Sequence, residues 1–448
     1  MSPVGAFCER YFGLSEHGTD VRTEIIAGVT TFLTMGYIIA VNPMILSAAG
    51  MDKGALITAT CLAASLSCIL MGLYANLPLA LASGMGLNAF FAYSVVIGMK
   101  VPWQVALAAV FVEGLIFIVL TLTNVREKVV NAIPLALKVA VSAGIGFFIA
   151  FIGLNNAKMV VPHKATLLTL GHFTDPRVLI CCFGLLMTAV MMQRGIKGAI
   201  LWGILACTLI SWGYGYNIGP EAAAKVDIFL PSGAFEVKSI APIFGQLSFQ
   251  GISFWAFLPI VVTLLFVDFF DTVGTLVGVA TKAKMLDKDG NFPGARKALL
   301  VDAVGTTAGA VLGVSTVTTY VESAAGVAEG GRTGLAAVIS GVLFFVAMFF
   351  APIVMAIPAC ATAPALILVG YLMMQSLGEV DLFDYGDAIP AFLTIIMMPL
   401  TYSIANGLIF GVTTFAILNI LGGRKDRVSW TLRILAVLFI IRLVYFPE

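Results

Sequence analysis

Fifteen long apolar segments follow one another along this chain and leave room for little else. A bilayer core is about 30 Å thick, so roughly 20 apolar residues make one helical crossing. Backbone groups in lipid must find partners within the protein, which helices and closed barrels provide. Because barrel-type alternation is absent, the sequence predicts an all-α polytopic membrane protein. The segments are 25–49, 55–74, 78–98, 103–123, 133–153, 178–193, 198–216, 253–280, 298–313, 314–328, 333–357, 360–376, 388–402, 403–421 and 430–446.

Composition excludes several other classes of protein. Of the 448 residues, 60% are hydrophobic and 11% charged, and the net charge of +1 indicates no nucleic-acid partner. Most of the seven cysteines lie inside apolar segments without paired spacing, as small buried side chains do. The three histidines fall in predicted loops, and no nucleotide-binding domain is present. We therefore expect no metal site, no cofactor and no catalytic residues.

The distribution of Lys and Arg sets the expected topology. With the amino terminus inside, thirteen loop Lys and Arg residues fall on the cytoplasmic side and seven on the other. This bias predicts that both termini are cytoplasmic, with residues 1–23 forming the amino-terminal segment. It also makes 217–252, the longest connection, an extracytoplasmic loop.

That loop separates seven apolar segments from seven more, followed by a last one. An odd number in each half gives the halves opposite orientations, which predicts an inverted repeat of 24–216 and 253–421 with a substrate site near the midplane. The last segment, within the tail 422–448, carries Arg433 and Arg442, so we expect a helix at the membrane interface as readily as a span.

The third segment of each half is unusual. One reads LASGMGLNAFFAY (81–93) and the other GVSTVTTYVESAAGVAEG (313–330), and each holds one strongly polar side chain, Asn88 or Glu322. Matched short or Gly-interrupted segments are the sequence pointer to a transporter site. We expect an extended stretch and then a half-helix in each, although kinked helices packed by small residues are the alternative.

Segment eight carries two acids, Asp268 and Asp271, three residues apart, and Thr275 follows four residues later. At helical spacing all three share a face. A carboxylate at the bilayer centre costs about 2.5–3.5 kcal/mol on insertion scales, so each acid is a functional candidate.

Further acids lie in neighbouring segments: Asp302 in segment nine, Glu322 in segment ten and Glu113 in segment four. For Asp268 and Glu113, a structural role in capping or backbone bonding remains an equal alternative. A carboxylate can accept two N–H bonds side by side, and a desolvated acid can hold a proton. These properties suit cation-coupled uptake of a polar heterocycle.

Six stretches carry a resemblance that runs nearly end to end. They are EIIAGVTTFLTMGYIIAVNP (24–43), ASGMGLNAFFAYSVV (82–96), FVDFFDTVGTLVGVA (266–280), KALLVDA (297–303), TTYVESAAGVAEGGRTGL (318–335) and PAFLTIIMMPLTYSIANG (390–407). With these stretches the chain resembles the nucleobase–cation symporter-2 family, in its AzgA-like purine permease branch.

The resemblance implies fourteen spans in a seven-plus-seven inverted repeat. Spans 1–4 and 8–11 would form a core, and spans 5–7 and 12–14 a gate, with short paired strands in spans 3 and 10. It places Glu322 and Asp271 on the base, with Asn88 and Thr319 beside them. Proton coupling would involve Asp302, Asp271 and Asp268.

The implied function is proton-coupled import of purine nucleobases in a bacterial inner (plasma) membrane. The intact GMGLNAFFAY favours guanine and hypoxanthine over adenine. An adenine-type permease of the same family and an anion transporter of the same fold are the alternatives, and a membrane enzyme with paired carboxylates is a more distant one. Sodium coupling stays open, and a homodimer is an expectation of the resemblance alone.

Overall fold

The computed structural model describes residues 3–123, 134–231, 233–282 and 294–445. Most apolar segments in these ranges are helical, since a helix satisfies its own backbone groups without water. The helices of the first half are α1 (Pro3–Phe12), α2 (Val21–Met35), α3 (Ile38–Ser47), α4 (Lys53–Leu70), α5 (Met85–Ala89), α6 (Trp103–Leu122), α7 (Leu135–Asn156), α8 (Pro176–Gln193) and α9 (Ala199–Ile218).

The rest of the chain begins with a short helix in the long loop. Its helices are α10 (Pro220–Lys225), α11 (Phe254–Lys282), α12 (Ala295–Leu312), α13 (Ser323–Ala328), α14 (Gly334–Ala347), α15 (Ala351–Met355), α16 (Ala359–Met374), α17 (Tyr385–Leu400), α18 (Ile404–Leu421) and α19 (Trp430–Tyr445). Six helical stretches in the described ranges are long and apolar enough to cross a membrane. The predicted helical membrane architecture is confirmed, and the count of fourteen spans stays a prediction.

The third segment of each half contains one short strand, where extended chain was expected. Strand β1 (Leu81–Ser83) pairs antiparallel with β4 (Val317–Thr319), and both are fully buried. Two backbone bonds extend the ladder, from the Gly84 N–H to the Thr316 carbonyl at 2.9 Å and from the Tyr320 N–H to the Ala80 carbonyl at 3.0 Å. The strands thereby satisfy backbone groups that no helix covers.

The outer edge of β1 is also supplied with partners. The Cys68 thiol sulfur lies 3.1 Å from the Leu81 amide nitrogen and 3.2 Å from its carbonyl oxygen. The Cys68 side chain therefore supplies partners at an edge that lipid would leave unsatisfied. On the opposite side, facing the chain of β4, the Ala80 N–H donates to the Ser323 hydroxyl at 3.0 Å.

The helices pack mainly within two groups, which match the core and gate implied by the resemblance. The first group contains β1, β4, α2–α6 and α11–α15, and the second contains α7–α9 and α16–α18. Contacts between the groups are fewer. The ring of Tyr93 meets that of Tyr402 edge-on at 6.3 Å, and Lys197 pairs with Glu329 at the end of α13. The site-bearing strands belong to the first group.

Two glycines allow the closest approach within the first group. A Cβ on Gly72, beside α4, would fall on the backbone of Gly334, and a Cβ on Gly334 would fall on the backbone of Gly72. Small residues let membrane helices pack closely where no hydrophobic force drives them together. This contact joins the second segment of one half to the start of α14.

One feature of the fold was not predicted, whereas the helix of the tail was. A hairpin of β2 (Val160–His163) and β3 (Leu167–Leu170) connects α7 and α8, where the sequence analysis placed a plain loop. The tail forms α19, whose Leu432 and Ala436 pack in one cluster with side chains of α18. Whether α19 spans the membrane or lies in its interface stays a prediction.

An ion pair between two side chains also links the tail to the rest of the protein. Arg424 donates to both carboxylate oxygens of Asp384 at 2.6 and 2.7 Å. Hydrogen bonding from this guanidinium, with a backbone bond from Gly386, holds the pKa of Asp384 below its usual value.

Glu24 is a buried acid with a clear structural task. Its carboxylate accepts backbone N–H bonds from Arg332 at 2.7 Å, Thr333 at 3.2 Å and Ala336 at 3.1 Å. The Arg332 and Thr333 N–H groups lie just before α14, and the Ala336 N–H lies in its first turn, where N–H groups have no partners within the helix. A carboxylate there also meets the positive end of the helix dipole.

We expect Glu24→Ala to destabilise the protein by about 3 kcal/mol, because several hydrogen bonds to a charged group disappear. The measurement is the thermal unfolding midpoint of detergent-solubilised protein. Glu16→Ala, which removes an exposed acid in the turn after α1, is the matched control. Equal midpoints for the two variants would show that Glu24 does not support α14.

Candidate functional site

The candidate site surrounds the β1–β4 pair. Each strand leads into a short helix, β1 into α5 and β4 into α13, so both third segments consist of an extended stretch followed by a half-helix. The side chains that meet here come from both halves of the chain. Acids on α6, α11 and α12 approach β4 or the residue before it, and Glu322 follows β4 in sequence.

Glu322 is the residue that caps α13 at its start. It is partly buried, and its Oε1 accepts a hydrogen bond from the hydroxyl of the buried Tyr37 at 2.6 Å. A bond of this length to a carboxylate is in the range of a charge-assisted interaction. Tyr37 thus fixes the direction of the carboxylate, and the second oxygen, Oε2, is not used in this bond.

Thr272 on α11 links the buried acids to β4. Its Oγ1 lies 3.0 Å from Asp302 Oδ2, 3.4 Å from Asp268 Oδ1 and 2.9 Å from Thr318 Oγ1. All four residues are buried. One hydroxyl has a single proton to donate, so it cannot donate to both carboxylates at once. Two carboxylates that share one hydroxyl repel each other when both are ionised, which makes the pair suited to hold a proton.

Asp302 also holds the end of β4 directly. Its Oδ1 accepts the backbone N–H of Thr319 at 3.2 Å. The Thr319 hydroxyl is buried and has no hydrogen-bond partner among the residues that the structure describes. A buried hydroxyl without a partner is unfavourable, and a molecule that binds there would supply one.

Asn88 lies at the centre of a separate buried network. Its Oδ1 accepts from the hydroxyls of Ser83 at 3.0 Å and of Ser315, and its Nδ2 donates to Asn42 Oδ1 at 2.6 Å. Asn42 in turn donates to Thr60 at 2.7 Å. The observed contacts fasten the end of β1 to the chain just before β4. A direct contact of Asn88 with substrate stays a prediction.

Two acids predicted from the sequence remain, Asp271 and Glu113. Asp271 lies on α11, and its side chain is outside the described part of the structure, so its predicted contact with substrate and its role in coupling stay predictions. Glu113 is fully buried, and its Oε2 accepts from the Thr316 hydroxyl at 3.1 Å.

Two residues of the site, Thr272 and Tyr37, were not predicted from the sequence. Spacing selected Thr275, whereas Thr272 makes the bonds to the acids. Because Thr272 lies four residues after Asp268, helical spacing along the sequence could have identified it. Tyr37 lies 285 residues from Glu322, and no pattern along the chain indicates that contact.

Comparison with known proteins assigns the family. The Xan_ur_permease profile, described as the permease family, matches residues 22–410. The Methanocaldococcus jannaschii protein MJ0326 is 50% identical over 98% of both chains. The guanine/hypoxanthine permease PbuG of Bacillus subtilis is 44% identical over 97% of this chain and 98% of its own. The adenine permease AdeP of Escherichia coli is 41% identical over 98% of this chain and 96% of its own.

A solved structure shows the same fold at low identity. The transmembrane domain of a cyanobacterial bicarbonate transporter, BicA, aligns with a TM-score of 0.66 and 16% identity over 86% of this chain and 97% of that one. At this identity the likeness concerns the fold alone. The match over most of the chain and the level of identity to the permeases confirm the resemblance. The chain therefore belongs to the Xan_ur_permease family, the nucleobase–cation symporters-2, whose members are membrane transporters and not enzymes.

Proposed function

We propose that this protein is a proton-coupled importer of purine nucleobases, with guanine and hypoxanthine as its substrates. The observation that carries the proposal is Glu322, a partly buried carboxylate placed between β4 and α13 and oriented by Tyr37. The names of the relatives point to the same class of substrate.

The chemistry of the base fits this carboxylate. Guanine and hypoxanthine carry a ring N–H next to a carbonyl, whereas adenine lacks that N–H. Glu322 keeps one oxygen outside the Tyr37 bond and can accept a ring N–H there, an interaction about twice as strong as a neutral hydrogen bond. The unpartnered Thr319 hydroxyl, three residues earlier, would donate to the carbonyl. Asp271 is proposed as the second acid on the base, and Asn88 as a further contact.

Proton coupling is assigned to the acids on α11 and α12. Asp268 and Asp302 share the Thr272 hydroxyl, and Asp302 also binds the backbone of Thr319. A proton on this pair removes the repulsion between the carboxylates. Protonation and the position of the substrate strand are therefore physically linked. Asp271 is the third acid proposed for coupling, and sodium remains a second candidate ion.

The proposed transport movement is a displacement of one packing group against the other. The strands, Glu322 and the acids all belong to the core, while Tyr402 and Lys197 belong to the gate. Rigid-body displacement of the core against the gate would carry the base across the membrane. The halves 24–216 and 253–421 would be the inverted repeat behind this movement, with both termini cytoplasmic and 217–252 outside. We place the protein in a bacterial-type plasma membrane, where it can form a homodimer.

Two alternatives have their own support. An adenine permease of the same family is favoured by the 41% identity to AdeP, close to the 44% identity to PbuG. An anion transporter is favoured by the fold shared with BicA. Against an anion, the site holds the carboxylates of Glu322, Asp302 and Asp268, which would repel negative charge.

We expect Glu322→Gln to reduce uptake of labelled hypoxanthine by about 10- to 100-fold, because a hydrogen bond to a charged group is lost. Uptake is measured in cells that make the wild type or the variant in equal amounts in the membrane. Glu221→Gln, an exposed acid on α10, is the matched control and is expected to behave as wild type.

Competition in the same assay separates the alternatives. Unlabelled guanine, adenine, xanthine, uracil and bicarbonate are added singly, with and without a protonophore, and with sodium replaced. Competition by adenine alone favours the adenine-type permease. If the folded wild type takes up no base, the proposed function is wrong, and bicarbonate transport becomes the next test.

Asp302→Asn is expected to separate binding from coupling. The amide keeps the size of the side chain and can still accept the Thr319 N–H, but it cannot exchange a proton. In proteoliposomes we expect base exchange to persist while accumulation driven by a pH gradient disappears. Asp381→Asn, on an exposed loop, is the control. Full accumulation by Asp302→Asn would exclude Asp302 as the coupling acid.

A further inference from the structure

Glu113 on α6 is a buried acid outside the set assigned to coupling. No part of the residue is exposed. Its Oε2 accepts one hydrogen bond, from the Thr316 hydroxyl at 3.1 Å, while its Oε1 is buried and has no hydrogen-bond partner among the described residues. The carboxyl group thus has one bond where an ionised carboxylate would accept about four.

The described residues supply no positive charge to this carboxyl. None of the ion pairs in the described ranges includes Glu113. Arg296 reaches only Leu122, at the end of α6 and about 13 Å along the helix axis from Glu113. Asp302 is near enough to interact electrostatically with Glu113, and its charge is of the same sign. The titratable groups on the elements packed against α6 are Asp268, Asp302, Tyr93, Arg296 and Lys297, together with Asp271 and Lys282, whose side chains are not described.

An isolated charge in such a place is strongly unfavourable, whereas a neutral acid that lacks one hydrogen bond is not. Glu113 therefore fits this site better as a neutral acid than as a carboxylate. It differs in this respect from Glu24, whose carboxylate is equally buried but accepts three backbone N–H bonds.

The bonded partner of Glu113 connects it to the substrate strand. Thr316 directly precedes β4, and its carbonyl accepts the Gly84 N–H at the end of β1. At the other end of β4, Asp302 accepts the N–H of Thr319. Two acids from different helices therefore hold the two ends of one three-residue strand, and Glu322 follows that strand.

We propose that Glu113 is a second proton-binding site of the transport cycle, in addition to the acids on α11 and α12, and that its proton holds β4 in the position described. This inference rests on the proposed function for its role in transport. When Glu113 ionises, its carboxylate needs more donors than the described residues around it supply. The strand and α6 must then separate enough to admit water, which couples the proton to the substrate strand.

The first test does not depend on transport. Infrared spectra of the purified protein are recorded across a pH titration for wild type and Glu113→Gln. We expect the wild type to show a carbonyl band of a protonated carboxylic acid that Glu113→Gln lacks. Thr316→Val should retain the band at a shifted frequency, since the hydrogen bond to the carboxyl is lost, and Thr316→Ser should restore it. Identical wild-type and Glu113→Gln spectra at every pH would overturn the proposal.

The second test counts protons in transport. In proteoliposomes with a gradient of one pH unit, each coupled proton changes the accumulation ratio by about tenfold. We expect Glu113→Gln to keep hypoxanthine exchange near the wild-type rate while the accumulation ratio falls by about tenfold. Glu221→Gln, tested alongside, should keep both. An unchanged ratio would show that Glu113 does not cycle its proton.

Two other outcomes are distinguishable. If folded Glu113→Gln loses exchange as well as accumulation, the side chain is needed for transport itself and not for coupling a proton, and the proposal is wrong. If wild type exchanges no base at all, the proposed function fails, and the infrared titration still decides whether Glu113 binds a proton.

Discussion

The antiparallel pairing of β1 with β4 is the interaction on which the rest of the site depends. Extended chain inside a membrane protein leaves backbone groups without partners, and lipid offers none. Here each strand supplies partners to the other, and the thiol of Cys68 closes the outer edge of β1 at Leu81. Neither third segment can keep this conformation alone, so the two halves of the chain must fold together.

The polar side chains around the strands are arranged by this pairing. Asn88 reaches Ser315 from the first half to the second, and Glu113 reaches Thr316 in the same direction. From the second half, the acids of α11 and α12 approach β4 through Thr272. A three-residue strand is therefore held at both ends by groups that can gain or lose a proton. This arrangement gives a physical route from protonation to the position of the strand.

The same constraint explains why the site belongs to one packing group. The strands tie α4, α11 and α12 into the core, and the contact between Gly72 and Gly334 brings α14 against them. The gate touches this unit through fewer contacts, such as that between Tyr93 and Tyr402. A core that moves as a body would keep its hydrogen bonds while it exchanges contacts with the gate. The buried bonds of Glu24 to the start of α14 add to the rigidity of that body.

By itself the sequence determined the helical membrane class, the family, the two interrupted segments and the presence of buried acids. These follow from local properties, namely hydropathy over about 20 residues and charge in an apolar run. The tertiary structure decided which partners those acids have. It joined Tyr37 to Glu322 across 285 residues, chose Thr272 over Thr275, and engaged Asn88 with protein groups. Such contacts depend on how helices pack against one another, and that packing leaves no periodic signal along the chain.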